Sequence, residues 1–121
     1  MAVLSVDLFA FGNQSRPRPP RANLDLFPDS GGMVGPITTW PWQGASTFAS
    51  LAHVPLTGHY HKLPRGTVLP QGIGVVADGM DVDPASLHLA THHTIFPAER
   101  MSFDRFVQLY LNLPWEYGGK K

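Results

Sequence analysis

Cysteine is absent from the chain, and this absence alone excludes several kinds of site. Without thiols there is no disulfide framework, no zinc–thiolate centre and no cysteine nucleophile. Glutamate is nearly absent as well, since Glu99 and Glu116 are the only ones in the chain. A mechanism that needs a glutamate therefore has very few candidates to draw on.

Charge is also scarce, because charged residues make up only 15% of the chain and the net charge is zero. A nucleic-acid-binding protein needs an excess of Lys and Arg to neutralise phosphates, so nucleic acid is not an expected partner. No apolar run approaches the ~20 residues of a membrane-spanning helix, so a membrane is not expected either. The N-terminus lacks a positively charged segment, which argues against a Sec signal peptide. Neither the Rossmann nor the P-loop glycine motif is present.

What the chain does contain is typical of a folded domain. Its 121 residues predict a single domain over residues 1–121, and 43% of them are hydrophobic. The 12 glycines and 12 prolines indicate many turns without reaching the proportion that is typical of disorder.

The most informative stretch runs from residue 89 to residue 115 and predicts a strand followed by a helix. In its first part apolar and polar residues alternate, which places His92 and Thr94 on one face of a strand that ends at Pro97. Ser102 is a suitable N-cap for the helix, and Pro114 terminates it. An apolar stripe at helical spacing is formed by Phe103, Phe106, Val107, Tyr110 and Leu111.

The rest of the chain predicts further short strands over residues 3–11, 33–34, 58–63 and 73–77. A second helix is expected over residues 45–52, where the hydroxyl of Ser46 or Thr47 would cap the N-terminus or bind a ligand. Residues 23–27 are expected to form one helical turn. About five or six strands with two short helices predict an α+β fold.

Two aromatic and basic segments admit more than one interpretation. Segment 15–21 carries Arg16, Arg18 and Arg21 among prolines, which favours either a solvated linker or an anion-binding loop beside the end of the first strand. Trp40 and Trp42 lie in a proline-punctuated loop, where they would cap the core or line a pocket for a planar group.

The chain contains the residue types of a zinc site, a serine hydrolase and a calcium-binding loop, but not the sequence spacing that these sites require. His59 and His61 share one strand face and could join His92 or His93 at a zinc ion, but no further ligand spacing supports this, and no metal is expected. Serine, histidine and aspartate occur without the nucleophile elbow of a hydrolase. The acidic turn over residues 78–86 lacks the pattern of a calcium loop.

Several blocks of the sequence resemble, in the same order, one group of toxins. These blocks are LFAFG, GMVGP followed by GAST, YHKLPRGTVLPQGIGVVAD, and THHTIFPAERMSFDRF followed by LPW. They are similar to the small ADP-ribosyltransferase-fold toxins typified by a cytostatic effector of bacterial type VI secretion, which have relatives in fungal genomes. The resemblance covers about residues 7–115, and it implies an ADP-ribosyltransferase-like split β-sheet sandwich with NAD bound in the cleft.

The resemblance also implies site residues. In the family an arginine at the end of the first strand anchors the ribose or phosphate of NAD, and Ala10 stands at the matching position. A Ser/Thr pair in the cleft matches Ser46 and Thr47, and the histidine of a His-aromatic-Thr-Ile strand matches His92. Glu99 is the candidate for the glutamate that binds the nicotinamide-ribose hydroxyl. The implied catalytic set is Ala10, Ser46, Thr47, His92 and Glu99, and the implied NAD-binding set is Ala10, Phe11, Gly12, Ser46, Thr47, His92 and Thr94.

The function implied by the resemblance is that of an NAD-dependent, antibacterial ADP-ribosyltransferase-like toxin that arrests growth. Its expected partners are NAD, a macromolecular target and a neutralising immunity protein or antitoxin, and its expected place of action is the cytoplasm of the target cell. Because Ala10 replaces the family arginine, the chain is interpreted as either a degenerate member of the family or an inactivated variant, with activity expected if Arg is restored at position 10. The alternatives are a catalytically dead NAD-cleft binding or interaction protein and an NAD glycohydrolase toxin.

Overall fold

Short strands dominate the architecture of the chain. The computed structural model describes residues 2–52, 54–79 and 90–121. The elements in chain order are β1 (Leu8–Gly12), β2 (Met33–Val34), β3 (Ala45–Phe48), β4 (His59–Leu63), β5 (Ile73–Val76), β6 (His92–Pro97), β7 (Met101–Ser102), α1 (Phe103–Leu111) and β8 (Glu116–Lys120).

Six of these strands form one antiparallel sheet in the order β5-β6-β3-β1-β4-β8, and β2 pairs with β7 in a separate two-stranded ribbon. The expected α+β class is confirmed. Strand β8 was not predicted, because EYGGK has no alternation of apolar and polar residues. It lies at the edge of the sheet, where three of its side chains are exposed. No helix in the described part of the chain has the length and apolar character needed to cross a membrane.

The sheet is nearly divided in two between β1 and β3. Strand β1 pairs with β4 along its whole length, from Leu8 to Gly12, whereas it meets β3 only where Phe9 lies opposite Phe48. Beyond that point the β3-facing edge of β1 is bonded by the loop that follows it, because Arg18 N–H donates to the Phe11 carbonyl at 3.0 Å. A gap therefore opens between the end of β1 and the start of β3.

Helix α1 closes the core on one side of the sheet. As predicted, Ser102 is the N-cap and its side chain accepts a hydrogen bond from the Arg105 N–H at 3.1 Å. Of the predicted stripe, Phe106 and Tyr110 are fully buried, Phe103 and Leu111 are half-buried against the same core, and Val107 is half-buried. The core that they contact is formed by residues from most strands, among them Leu8, Leu63, Ile73 and Ile95.

Two predicted elements are corrected by the structure. Residues 45–52 were expected to be helical, but Ala45–Phe48 is strand β3, and Ser46 and Thr47 therefore cap no helix. The prediction relied on the many small residues of this segment, but its conformation is decided by pairing with strand β6, from Ala45 opposite Ile95 to Phe48 opposite His92. The first strand begins at Leu8 rather than at Val3, which forms only an isolated bridge with Val68.

Three short strands, one turn and the acidic segment were also predicted. Strands over residues 33–34, 58–63 and 73–77 are confirmed within a residue at each end. Residues 23–25 form a turn, closed by the Asp25 N–H donating to the Arg21 carbonyl at 2.9 Å. Most of the acidic turn, including Asp81 and Asp83, lies outside the described residues.

Candidate functional site

A cavity of about 220 Å³ lies where β1 and β3 separate. Phe11 contributes to it from the end of β1, Ser46 and Phe48 from β3, His92 from β6 and Tyr110 from α1. We call it the central cavity. Because four elements meet here, the shape of the cavity depends on the tertiary structure and not on any single segment.

Two further hollows adjoin the central cavity. The first has a volume of about 380 Å³ and is lined by Trp40 and Trp42; we call it the tryptophan hollow. It shares Asp25, Ser46 and His92 with the central cavity. The second, of about 440 Å³, is lined by Arg16 and Arg18 and shares Phe11 and Arg18 with the central cavity; we call it the arginine hollow. Shared lining residues make the three spaces one extended cleft.

A buried hydrogen-bonded network supports the cleft from β6. Asp78 accepts a hydrogen bond from His92 Nδ1 at 2.7 Å through one carboxylate oxygen and from the Thr94 hydroxyl at 2.6 Å through the other. Asp78 is 2% exposed and His92 is 9% exposed. The rings of Phe48 and His92 pack in a T-shaped contact, with 5.4 Å between centroids. The imidazole is therefore fixed in position and orientation.

The electrostatics of this network follow from its hydrogen bonds. Burial by itself raises the pKa of Asp78, but the hydrogen bonds from His92 and Thr94 outweigh burial and hold the pKa below its ordinary value. An ionised carboxylate only accepts hydrogen bonds, so Nδ1 of His92 carries a proton. In neutral His92, Nε2 is then a hydrogen-bond acceptor, and no described residue occupies it. This arrangement offers the cleft an oriented base or acceptor.

Of the predicted site residues, the structure brings Ser46 and His92 to the same cavity. Both line the central cavity and the tryptophan hollow, and Thr94 lines the hollow beside them. Phe11 lines the central cavity and Gly12 the arginine hollow. Five residues from three strands that are distant in sequence, β1, β3 and β6, thus converge to line the cleft at the gap between β1 and β3.

Thr47 is not part of this convergence. It is fully buried, and its hydroxyl donates to the His93 carbonyl at 3.1 Å. The neighbouring strand residue, Ser46, is exposed and faces the cleft. Because side chains alternate along a strand, only one member of the Ser/Thr pair can reach a ligand, and that member is Ser46.

Glu99 is also separate from the cleft. It follows the opposite end of β6 from His92, is exposed, and accepts a hydrogen bond from Gln71 at 2.9 Å. The carboxylates that the structure does bring to the cleft are those of Asp78 and Asp25. Asp25 is half-buried and pairs with Arg21 at 3.2 Å.

Ala10 lies beside the cleft without lining it. The residue is 2% exposed, and it shares a strand face with Leu8, which is fully buried in the core. The next residue, Phe11, is the one that lines the central cavity. The structure therefore does not place the side chain of residue 10 where an arginine would reach a ligand without moving packed atoms.

This placement makes a prediction about the Ala10→Arg variant. A guanidinium in the core would be overpacked and would lose its hydration, so we expect the free energy of unfolding to fall by at least ~2 kcal/mol. Urea denaturation of Ala10→Arg beside Val68→Arg, which adds the same charge at a 53% exposed position, measures the difference. Equal midpoints for the two variants, with stronger NAD binding by Ala10→Arg, would show instead that residue 10 reaches the ligand.

The tryptophans resolve the alternative that the sequence left open. Both Trp40 and Trp42 line the tryptophan hollow. Trp42 packs on Phe96 with 5.0 Å between ring centroids, whereas Trp40 is 56% exposed. They therefore form a wall of the cleft, and neither belongs to the buried core.

The histidines proposed as alternative zinc ligands do not meet. His59 and His61 lie on β4, and β1 and β3 separate that strand from His92 on β6. His61 bonds the Asn13 carbonyl at 2.7 Å, and His59 bonds the Tyr117 hydroxyl at 2.8 Å. Within the described ranges, no group of three or more His, Asp or Glu side chains could hold a metal ion.

Comparisons with models of protein families, with curated proteins and with solved structures find no match to this chain. The function of the protein is therefore inferred from the geometry of the cleft. Asp78, Asp25 and Tyr110 were not predicted to line the cleft, because each comes from a segment distant in sequence from the predicted site residues. The alternation of His92 and Thr94 was the one available signal, since it predicts a shared polar partner.

Proposed function

We propose that this protein binds NAD in the cleft and acts as an ADP-ribosyltransferase-like toxin. The observation that carries the proposal is that Ser46 and His92, with His92 oriented by buried Asp78, line a cavity at the gap between β1 and β3. We further propose that the sheet divided at β1 and β3 is the split sheet of an ADP-ribosyltransferase-like fold. The near absence of pairing along that seam supports this interpretation.

The dimensions of the cleft suit an extended dinucleotide. Its three adjoining spaces, of about 220, 380 and 440 Å³, fall in or near the range of ~300–1,000 Å³ that is usual for ligand pockets. The aromatic wall of the tryptophan hollow fits a planar nicotinamide ring. The central cavity, with its hydroxyl, imidazole and carboxylate groups, then fits the adjoining ribose.

NAD supplies a glycosidic bond whose cleavage develops positive charge on the ribose and releases nicotinamide. The residues of the cleft bind and orient. His92, with Nδ1 donating to Asp78, accepts a hydrogen bond from a ribose hydroxyl through Nε2. Ser46 offers a second hydroxyl contact. Asp25 is the partly exposed one of the two described carboxylates that line the cleft and is the candidate for electrostatic stabilisation of the developing cation, whereas Glu99 lines none of the three spaces.

The test measures NAD binding by calorimetry and nicotinamide release by chromatography. We expect the His92→Ala variant to reduce release by at least ~100-fold, since the loss of one oriented general base or binding group typically costs that much. His59→Ala is the matched control, because His59 lies on β4 and lines none of the three spaces of the cleft. Release that is unaffected by His92→Ala would contradict the proposal.

A specific observation favours one alternative, a catalytically dead protein that binds NAD. Neither residue 10 nor Glu99 contributes a catalytic group to the cleft. Saturable NAD binding with no nicotinamide release by the chain would select this alternative. Release of nicotinamide with free ADP-ribose as the sole product, and no modified macromolecule, would select the glycohydrolase.

The toxin part of the proposal has its own test. Expression from a tightly repressed promoter should arrest growth of a bacterial host on induction, and His92→Ala should relieve the arrest. A genetic screen for neighbouring genes that restore growth would then identify an immunity protein. Growth that continues in spite of measured NAD turnover would mean that the cleft reaction is not toxic.

A further inference from the structure

The loop after β1 is built as a rigid platform. The Arg18 N–H donates to the Phe11 carbonyl at 3.0 Å, and the Asn13 N–H donates to the Arg16 carbonyl at 3.1 Å, so that the loop folds back along β1. The Asn13 side chain accepts from the backbone N–H groups of Ser15 and Arg16 at 2.8 and 2.9 Å. These bonds hold the backbone between residues 13 and 18 in one conformation.

Two further contacts show that the platform depends on particular residues. A side chain at Gly12 would meet the Arg16 carbonyl and the Pro17 Cα, so only glycine permits this close return of the loop. Buried His61 donates through Nε2 to the Asn13 carbonyl at 2.7 Å. Since that oxygen accepts, Nε2 of His61 carries the proton.

The platform presents two guanidinium groups to the same space. Pro17 is fully buried between Arg16 and Arg18, and because alternate residues of an extended segment share a side, both arginines face outward and line the arginine hollow. The described lining of this hollow contains no carboxylate, and no described ion pair involves either arginine. In a chain with zero net charge, this is a local concentration of positive charge.

We propose that the arginine hollow binds the diphosphate of a nucleotide through Arg16 and Arg18. The inference rests on the proposed function, because Arg18 also lines the central cavity, which places the diphosphate beside the ribose. Guanidinium groups match phosphate oxygens with paired charge-assisted hydrogen bonds. Two arginines from this loop thus supply the anion contact that was expected from residue 10.

The experiment uses the full chain and calorimetric titration with ADP, adenosine and inorganic pyrophosphate. ADP is expected to bind more tightly than adenosine, with an affinity that falls as salt increases, because both arginines are exposed. The Arg16→Ala/Arg18→Ala double variant should weaken ADP binding by at least about tenfold while the affinity for adenosine is unchanged. Arg18→Lys keeps the charge and loses the paired geometry. Its affinity for ADP should therefore lie between that of the unaltered chain and that of the double variant.

The matched control is Arg65→Ala/Arg105→Ala, which removes the same charge from two exposed arginines outside the cleft. Equal losses of ADP affinity in the two double variants would overturn the proposal, and so would equal binding of ADP and adenosine by the unaltered chain. Pyrophosphate that binds as tightly as ADP would make the hollow a simple anion site, which contradicts the nucleotide assignment.

The same measurements separate the two proposals. If ADP binding depends on Arg16 and Arg18 while the chain releases no nicotinamide from NAD, the diphosphate site stands and the enzyme function fails. If nicotinamide is released and the double variant releases it with an unchanged KM, the function stands and the diphosphate site fails.

Discussion

Replacing Phe106 with alanine is expected to lower the free energy of unfolding by ~3–5 kcal/mol, the usual cost of removing a large aromatic side chain from a core. Phe106 is 0% exposed and packs in the cluster that joins α1 to the sheet. A chain of this length has roughly 5–15 kcal/mol of stability in total, so the variant should be marginally folded at room temperature.

Urea denaturation followed by circular dichroism measures this effect. Gln108→Ala is the matched control, because Gln108 is exposed on the same helix and alanine is at least as favourable there. We expect the control to unfold at the urea concentration of the unaltered chain. A Phe106→Ala variant that unfolds together with the control would mean that α1 does not depend on the buried stripe.

Removal of the Asp78 carboxylate is the second change with a large expected effect. In Asp78→Ala, Nδ1 of His92 and the hydroxyl of Thr94 lose their partner inside the protein, and each unpaired buried group costs ~1–3 kcal/mol. We expect the free energy of unfolding to fall by ~2–5 kcal/mol and His92 to lose its fixed orientation. Ligand binding in the central cavity should weaken with it.

Asp78→Asn is the informative companion variant. Its carbonyl oxygen accepts from His92 Nδ1, and its NH₂ donates to the Thr94 hydroxyl, so most of the stability should return while the negative charge beside the imidazole is lost. Nicotinamide release that stays low in Asp78→Asn would assign the charge a part in the reaction. Full release by Asp78→Ala would remove Asp78 and the orientation of His92 from the mechanism.

The ionisation of Asp78 predicts that the stability of the folded protein depends on pH. The pKa of Asp78 in the folded protein lies below the ordinary value of 3.8, so the unfolded chain binds the proton more readily. The contribution to stability is therefore complete above about pH 5 and is lost as the pH falls through 3.8 towards the folded-state pKa. Thermal melting between pH 3 and pH 6 should show a steeper acid loss in the unaltered chain than in Asp78→Asn.

Local patterns in the sequence were sufficient for the elements whose signals are local. Helix α1 was predicted with its cap, because Ser102 bonds a backbone group three residues away and the apolar spacing matches one helical face. Strand β6 was predicted from alternation, and the shared face of His92 and Thr94 is the face on which both bond Asp78. The helix cap, the apolar spacing and the strand alternation depend on residues that are neighbours along the chain.

Strand β3 and the cleft depended on contacts that the sequence does not display. The small residues around Ala45–Phe48 were interpreted as a helix, yet this segment lies between β6 and β1 in the sheet, where strand pairing decides its conformation. The resemblance to a toxin family implied that residue 10 is a site residue. In the structure the register of β1 turns the Ala10 side chain to the core and presents Phe11 to the cavity. A shift of one residue in register exchanges the two faces of a strand.

The amino-acid sequence by itself determined the α+β class, the capped helix, the polar face of β6 and the exclusion of thiol chemistry. Only the tertiary structure decided which carboxylates accompany His92 and that the loop arginines face the cleft. The physical reason is the distance along the chain over which each interaction acts. Capping and periodicity act within a few residues, whereas the bond between His61 and Asn13 and the convergence of four elements on one cavity join segments that only folding brings together.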